Sequence, residues 1–214
     1  MTGTPSIARD EVRVGVLALQ GDSAPHRAAF ARLGVDACEV RSPLELEQRT
    51  HLVVPGGEST TLHHLMSLFG LWDPIGRRVR DGSLALFGTC AGAILAGRAA
   101  EGEERPPRWG VLDAVVRRNA FGRQVDSRTE AMRLEAFDTT LPCVFIRAPR
   151  IESVGSNVRV LAADAGSPIL IEGPGVLAAT FHPELADDPI VHAHFLDMRP
   201  ARHDESRQGE QVHG

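Results

Sequence analysis

Three clusters in this chain combine residue types and spacings suited to chemistry on a carbonyl group. The first is Phe87-Gly88-Thr89-Cys90-Ala91-Gly92, a cysteine held between small residues where a buried-type strand, Leu84 to Phe87, meets a helical segment, Ala93 to Ala100. Glycines at such a junction let neighbouring chains approach closely while the nucleophile takes a strained backbone, the arrangement of a nucleophile elbow. The thiol would project above the sheet edge at the positive end of the following helix, where negative charge on sulfur is favoured. An isolated cysteine in a Gly-rich turn is more often a packed core residue, so the reading rests on its company. That company is Thr180-Phe181-His182-Pro183-Glu184, at the end of an apolar candidate strand. His182 and Glu184 are two apart, so in extended chain they point to one side and the carboxylate can fix the imidazole tautomer. Cysteine, histidine and carboxylate make up the general triad arrangement of nucleophile, base and orienter. The third cluster, Pro55-Gly56-Gly57-Glu58-Ser59-Thr60-Thr61, turns from a strand into a helix. Its glycines can present backbone N–H groups to an oxyanion or a phosphate. The Lys of a P-loop is missing, and beside Cys90 the oxyanion is the better use.

The elements that must position these clusters are legible from periodicity. Val12 to Leu19 is an apolar, β-branched-rich run, followed by Gln20-Gly21-Asp22 and a periodic segment from Ala24 to Leu33 ending at Gly34. That reads as strand, loop, helix. His51 to Val54, Pro55-Gly56-Gly57 and the helical spacing of Ser59 to Phe69 repeat it, and the elbow makes a third unit. Strands alternating with helices predict an α/β three-layer sandwich with a mainly parallel central sheet, its site at the carboxyl ends of the strands. Beyond the polar stretch Gly102 to Arg108, short candidate strands lie at Val111 to Arg117, Val144 to Arg147, Val158 to Ala162, Ile169 to Ile171 and Val176 to Phe181. They read as β additions to the same domain. Asp187-Asp188-Pro189 supplies cap residues for a last helix, Ile190 to Met198. One domain over residues 12–199 is expected, with an extension at 1–11 and a polar tail at 200–214 that is expected to be disordered.

A length of 214 residues supports one full core but not two ordinary domains. The net charge of -5 argues against a nucleic-acid surface spread over the molecule. No leading apolar segment or long apolar run is present, so a cytoplasmic protein that does not engage a membrane is expected. Cys38, Cys90 and Cys143 are too few and too scattered for a disulfide framework, and Cys38 and Cys143, in apolar stretches, are expected to be core thiols. His63, His64, His192 and His194 lack the company of metal ligands and read as packing or surface residues, so no metal and no cofactor are expected.

Taken together, the elbow FGTCAG, the loop PGGES and the ending FHPE resemble class I glutamine amidotransferases. More narrowly, LALQGD at Leu17 to Asp22, PGGESTT at Pro55 to Thr61, RRNAFGRQVDS at Arg117 to Ser127, FIRAPRIESVG at Phe145 to Gly155 and FHPEL at Phe181 to Leu185 are similar to the glutaminase subunits of pyridoxal 5′-phosphate synthases. The resemblance runs in order from about Val12 to Met198. It implies a flavodoxin-like architecture and hydrolysis of L-glutamine, with ammonia channelled to a synthase subunit in a large hetero-oligomer that makes pyridoxal 5′-phosphate. It implies Cys90 as nucleophile, His182 as base and Glu184 as its orienter. Backbone N–H groups of Gly57 and Ala91 would form the oxyanion hole, and Gly57, Glu58, Ser59, Arg118, Ile146 and Arg147 would contact glutamine. An amidotransferase of another pathway shares the triad but not the RNAFGRQVDS and IRAP segments. A cysteine peptidase or γ-glutamyl hydrolase of related fold is more distant, and a redox sensor built on the elbow cysteine would need no His182 and Glu184.

Overall fold

The computed structural model describes residues 11–118 and 127–200, so the expected tail, the extension and most of the Arg117 to Ser127 stretch fall outside the described residues. Its central sheet runs in the order β10 (Arg159–Asp164), β11 (Ser167–Gly173), β12 (Val176–Ala179), β4 (Ala85–Thr89), β3 (His51–Val54), β1 (Val14–Leu17) and β2 (Cys38–Val40). Neighbours are parallel from β12 through β2, and β10 and β11 extend the sheet antiparallel. The parallel part therefore has the doubly wound, flavodoxin-like order, with its crevice outside the strands' carboxyl ends.

Strands β1, β3, β4 and β12 are buried along their whole length. Side chains alternate across a strand, so Leu52, Val54 and Leu86 enter one core while Val53, Ala85 and Phe87 enter another. The first core is closed by α2 (Pro43–Glu47), α3 (Ser59–Leu68), α4 (Trp72–Arg80) and α5 (Ala91–Ala96) through residues such as Leu46, Leu62, Met66, Ile75 and Leu95. The second is closed by α1 (Ser23–Arg32) and α6 (Ile190–Asp197) through Phe30, Val191 and Phe195. These are the three layers that the alternating pattern predicts.

Several details depart from the sequence reading. The β additions, which the sequence does not assign to sheets, divide: β10, β11 and β12 join the central sheet, while β5 (Arg98–Ala99), β6 (Ala114–Arg117) and β9 (Arg150–Val154) make a second sheet. A hairpin of β7 (Arg128–Leu134) and β8 (Thr139–Phe145) forms a third sheet, packed on the second core through Leu134, Leu141, Cys143 and Phe145. The expected strand from Val144 to Arg147 is the end of β8, and the chain leaves it at Arg147, whose φ of 45° breaks the extended conformation. The helix expected over Ala93 to Ala100 starts earlier, at Ala91, and stops at Ala96, because Gly97 is extended and leads into β5. Cys38 is exposed, since it opens the edge strand β2, whereas Cys143 is buried in β8, where burial pushes its thiol up to about 12.

The β4 to α5 turn lies against the end of β3. A Cβ on Gly92 would sit 2.1 Å from the Val54 carbonyl oxygen and 3.0 Å from its carbon, both backbone atoms that cannot swing aside. Gly92→Ala is therefore expected to destabilise the fold by about 2 kcal/mol or more, read as a lower urea midpoint with an unchanged slope. A midpoint equal to that of the wild type would show that the two backbones are not held in contact.

Candidate active site

Four segments that leave the carboxyl ends of β1, β3, β4 and β12 meet at one place. Cys90 follows β4 with φ 48° and ψ -100°, a conformation that a cysteine rarely adopts. Its N–H donates to the Ala179 carbonyl at the end of β12 (2.8 Å), and its own carbonyl accepts from Ile94 N–H (3.1 Å), which starts α5. The strain is thus fixed from both sides, as an elbow requires. The thiol points to the Ile146 carbonyl oxygen, 3.8 Å away.

His182 leaves β12 and is anchored by its N–H to the Val144 carbonyl (2.9 Å). Its ring lies against Gly56, where a Cβ would come within 2.4 Å of its Cε1, so the glycine is needed for the imidazole to reach the cysteine. Nδ1 is 2.8 Å from Glu184 Oε1, and the ring also hydrogen-bonds Cys90. The pairing does not come from extended chain, as the two-residue spacing suggests. A 3-10 turn at Pro183–Leu185 curls Glu184 back beside His182.

Burial disfavours a charged His182, but hydrogen bonds to Cys90 and Glu184, with the negative charge of both, outweigh it and raise its pKa to about 10. Burial likewise opposes a charged Glu184, and its neighbours His26 and His182, the second by a hydrogen bond as well as by its charge, overcome it and keep the carboxyl below its usual range. A protonated histidine beside the sulfur is the arrangement of an activated cysteine nucleophile.

The sulfur opens into a cavity of about 250 Å³ lined by Gly57, Glu58, Ser59, Arg118, Ile146 and Arg147, together with Gly56, Ile94, Cys90 and His182. All six residues expected to contact a substrate are thus brought together. Ala91 is fully buried behind the wall as the first residue of α5, where a helix N–H has no partner within the helix. Glu58 also caps α3, accepting from Thr60 N–H (3.0 Å), Thr61 N–H (2.7 Å) and the Thr61 hydroxyl (2.8 Å). Although partial burial works against its charge, these bonds hold its pKa down to about 2. Glu58 and Arg118 pair with each other at 3.2 Å, which sets a fixed negative and a fixed positive group side by side at the cavity wall.

Sequence reasoning missed the residues that hold these groups in place. Gln20 Oε1 accepts from Glu58 N–H (3.2 Å) and packs on Gly57; its only signal is a polar residue directly after an apolar strand, in a glycine turn. Glu103, in the polar stretch before β6, accepts the Arg118 N–H and pairs with the nearly buried Arg108 (3.1 Å). His26, on the buried stripe of α1 with Ala29 and Phe30, sits behind Glu184.

Residues 16–200 match the SNO glutamine amidotransferase family. The chain belongs to that family. Among its relatives, a pyridoxal 5′-phosphate synthase subunit PdxT from Thermus thermophilus is 51% identical over 86% of this chain and 96% of the relative. Another PdxT, from Desulforamulus reducens, is 47% identical over 86% of this chain and 98% of its own. A solved glutamine amidotransferase is 51% identical, with a TM-score of 0.79 over 86% of this chain and 96% of that one. A chain of PurLQS from Thermotoga maritima, 13% identical, shares only the fold, with a TM-score of 0.61 over 87% of this chain and 98% of its own. In this member of the SNO glutamine amidotransferase family the ILIEGPGV segment at Ile169 to Val176 lies in β11, the turn after it and the start of β12, outside the cavity lining. Among the described residues no helix is long and apolar enough to cross a membrane.

The raised pKa of His182 has a definite sign. Its folded-state interactions contribute stability that is fully present below its ordinary value of 6.5 and lost as pH rises through about 10. An NMR titration of the His182 ring is therefore expected to show imidazolium throughout the neutral range and a midpoint near 10, with Glu184→Gln moving that midpoint toward neutral. A wild-type midpoint near 6.5 would contradict the charged pair.

Proposed function

We propose that this chain is the glutaminase subunit of a pyridoxal 5′-phosphate synthase. It hydrolyses L-glutamine to L-glutamate and ammonia, and passes the ammonia to a synthase subunit within a large hetero-oligomer. The observation that carries this reading is a single cavity in which Cys90 and His182, backed by the buried Glu184, meet a fixed pair of opposite charges, Glu58 and Arg118. The identity to PdxT relatives along nearly the whole described chain supports the pathway.

Each end of glutamine has a complement. The α-ammonium suits Glu58, whose carboxylate stays ionised, and the α-carboxylate suits Arg118, whose guanidinium offers paired donors. A cavity of about 250 Å³ suits one free amino acid better than a stretch of peptide, which counts against a peptidase. With the amino-acid end so held, the side-chain amide reaches Cys90. The thiolate attacks the amide carbon, and its oxygen becomes an oxyanion facing the N–H groups of Gly57 and Ala91, a stabilisation worth about 10²–10³ in rate. His182 gives its proton to the amide nitrogen, the C–N bond breaks and ammonia leaves, with a γ-glutamyl thioester on Cys90. Neutral His182 then takes a proton from water as it attacks the thioester. Glutamate leaves and the thiolate and imidazolium are restored.

A glutaminase acting alone would release ammonia to water, so a site completed only on docking is advantageous. The Gly56-Gly57 loop suits this role: Gly57 holds φ 155°, open to glycine, and a peptide flip there would turn an N–H toward or away from the oxyanion. Isolated chain is expected to hydrolyse glutamine slowly, and addition of its synthase subunit to raise turnover at least about tenfold, equivalent to about 1.4 kcal/mol off the barrier. The measurement is glutamate formation at matched glutamine with and without the synthase, with Cys90→Ala as the dead control. Equal rates in the two mixtures would remove the gating, and turnover by Cys90→Ala would remove the nucleophile.

A further inference from the structure

Behind the triad lies a second, fully buried polar chain that the reaction scheme does not use. His26 of α1 and His192 of α6 have no exposed surface and are packed among Phe30 and Phe87. Phenyl and leucyl side chains would fill such a place without desolvating four ring nitrogens, so the polarity needs a physical reason. The contacts run in one direction. His192 Nε2 is 2.9 Å from His26 Nδ1, and His26 Nε2 is 3.5 Å from Glu184 Oε2 and 3.4 Å from the Thr89 hydroxyl, on the residue before the nucleophile.

Protonation follows from these neighbours. Burial, reinforced by the positive charge of His182, lowers the pKa of His26 against the attraction of Glu184 and Asp22 and leaves it neutral, and burial holds His192 near 3. A neutral imidazole has one donor and one acceptor nitrogen. Glu184 can only accept and the Thr89 hydroxyl can accept as well as donate, so a hydrogen on His26 Nε2 suits both neighbours and leaves Nδ1 to accept from His192 Nε2–H. Glu184 Oε1 is occupied by His182, while Oε2 is buried with no hydrogen-bond partner. The His26 Nε2–H is in ion-pair reach but longer than a full hydrogen bond. Other groups felt by this cluster are Cys90 through His182, and Arg32 at the end of α1.

We propose that His26 is a positioning residue for the triad, its Nε2–H holding Glu184 as a carboxylate in the orientation that His182 needs. The inference rests on the reading of Cys90, His182 and Glu184 as the triad. Its use comes within the cycle. When His182 gives its proton to the departing ammonia, Glu184 loses its cation and is left as a buried anion. The His182 Nδ1–H still serves Oε1, but Oε2 has no hydrogen-bond partner; His26 is the nearest donor to it, and a small side-chain shift closes the 3.5 Å gap. Without it, Glu184 would draw the Nδ1 proton from neutral His182 at that step, and His182 would lose its oriented tautomer.

The test compares full-length wild type, His26→Leu and His26→Gln in complex with the synthase subunit, since glutamine can keep an N–H close to the position of Nε2. His26→Leu is expected to lower kcat at least about tenfold while KM changes less than about twofold. Because an N–H bonded to a carboxylate favours its charged form, its loss should move the acid limb of the kcat profile to higher pH. His26→Gln should restore most of kcat and the position of the limb. Wild-type kcat and an unmoved limb in His26→Leu would overturn the inference, as would equal loss in the two variants at matched melting temperatures. Should either variant fail to fold, the ring ¹⁵N shifts of wild type decide: the Nε2–H tautomer of His26 is expected, and the Nδ1–H tautomer would refute it. Cys90→Ala run alongside separates the readings, because turnover surviving there removes the triad, whereas a dead Cys90→Ala beside a fully active His26→Leu removes only the role of His26.

Discussion

The site depends on one backbone constraint, the forced turn at Cys90 between β4 and α5. A non-glycine residue held in so sparsely populated a conformation costs about 1–3 kcal/mol and persists only where its surroundings over-determine it. Here they do so on three sides. The Cys90 N–H is bonded to β12, Gly92 is pressed on the last carbonyl of β3, and Gly88 faces Gly92 with room for no side chain. The buried parallel sheet supplies the rigidity, because β3, β4 and β12 are locked in register up to the turn. The same two outer strands then deliver the other parts of the chemistry, the Gly56-Gly57 loop after β3 and His182 after β12.

Charge is distributed around that turn in a way that the fold makes stable. The imidazolium at His182 is tolerated in a largely buried place because Glu184 and the sulfur both neighbour it, a compensation without which burial would neutralise it. At the other end of the cavity Glu58 is fixed by the first turn of α3 and Arg118 by Glu103 and the Arg105 carbonyl, so both are oriented before any ligand arrives. Preorganisation of this kind limits the ordering that binding has to impose.

What the sequence makes legible follows the same physics. The fully buried strand His51–Val54 and the helix α3 that follows it appear where the apolar period places them, because one continuous pattern determines them. The elbow and the catalytic candidates are legible because a strained turn admits few residues at its corners. Helix α4 is not, since Pro74 and Gly76 read as breakers; Gly76 is there because the Trp109 ring lies 2.6 Å from where its Cβ would be, a contact made by a residue far along the chain. The pairing of His182 with Glu184 is legible as an association but not as a geometry, for a two-residue spacing does not distinguish extended chain from a 3-10 turn. His26 carries no local mark beyond a histidine on a buried stripe. Its place beside Glu184 comes from the packing of α1 against the turn that follows β12.

The most direct measurement of the central claim is the covalent intermediate itself. Full-length chain and its synthase subunit, mixed with glutamine and quenched in acid within the first turnovers, are expected to yield a γ-glutamyl adduct confined to the peptide that contains Cys90 and removable by hydroxylamine. An adduct on Cys38 or Cys143, or steady glutamate release through Cys90→Ala with no adduct formed, would contradict it.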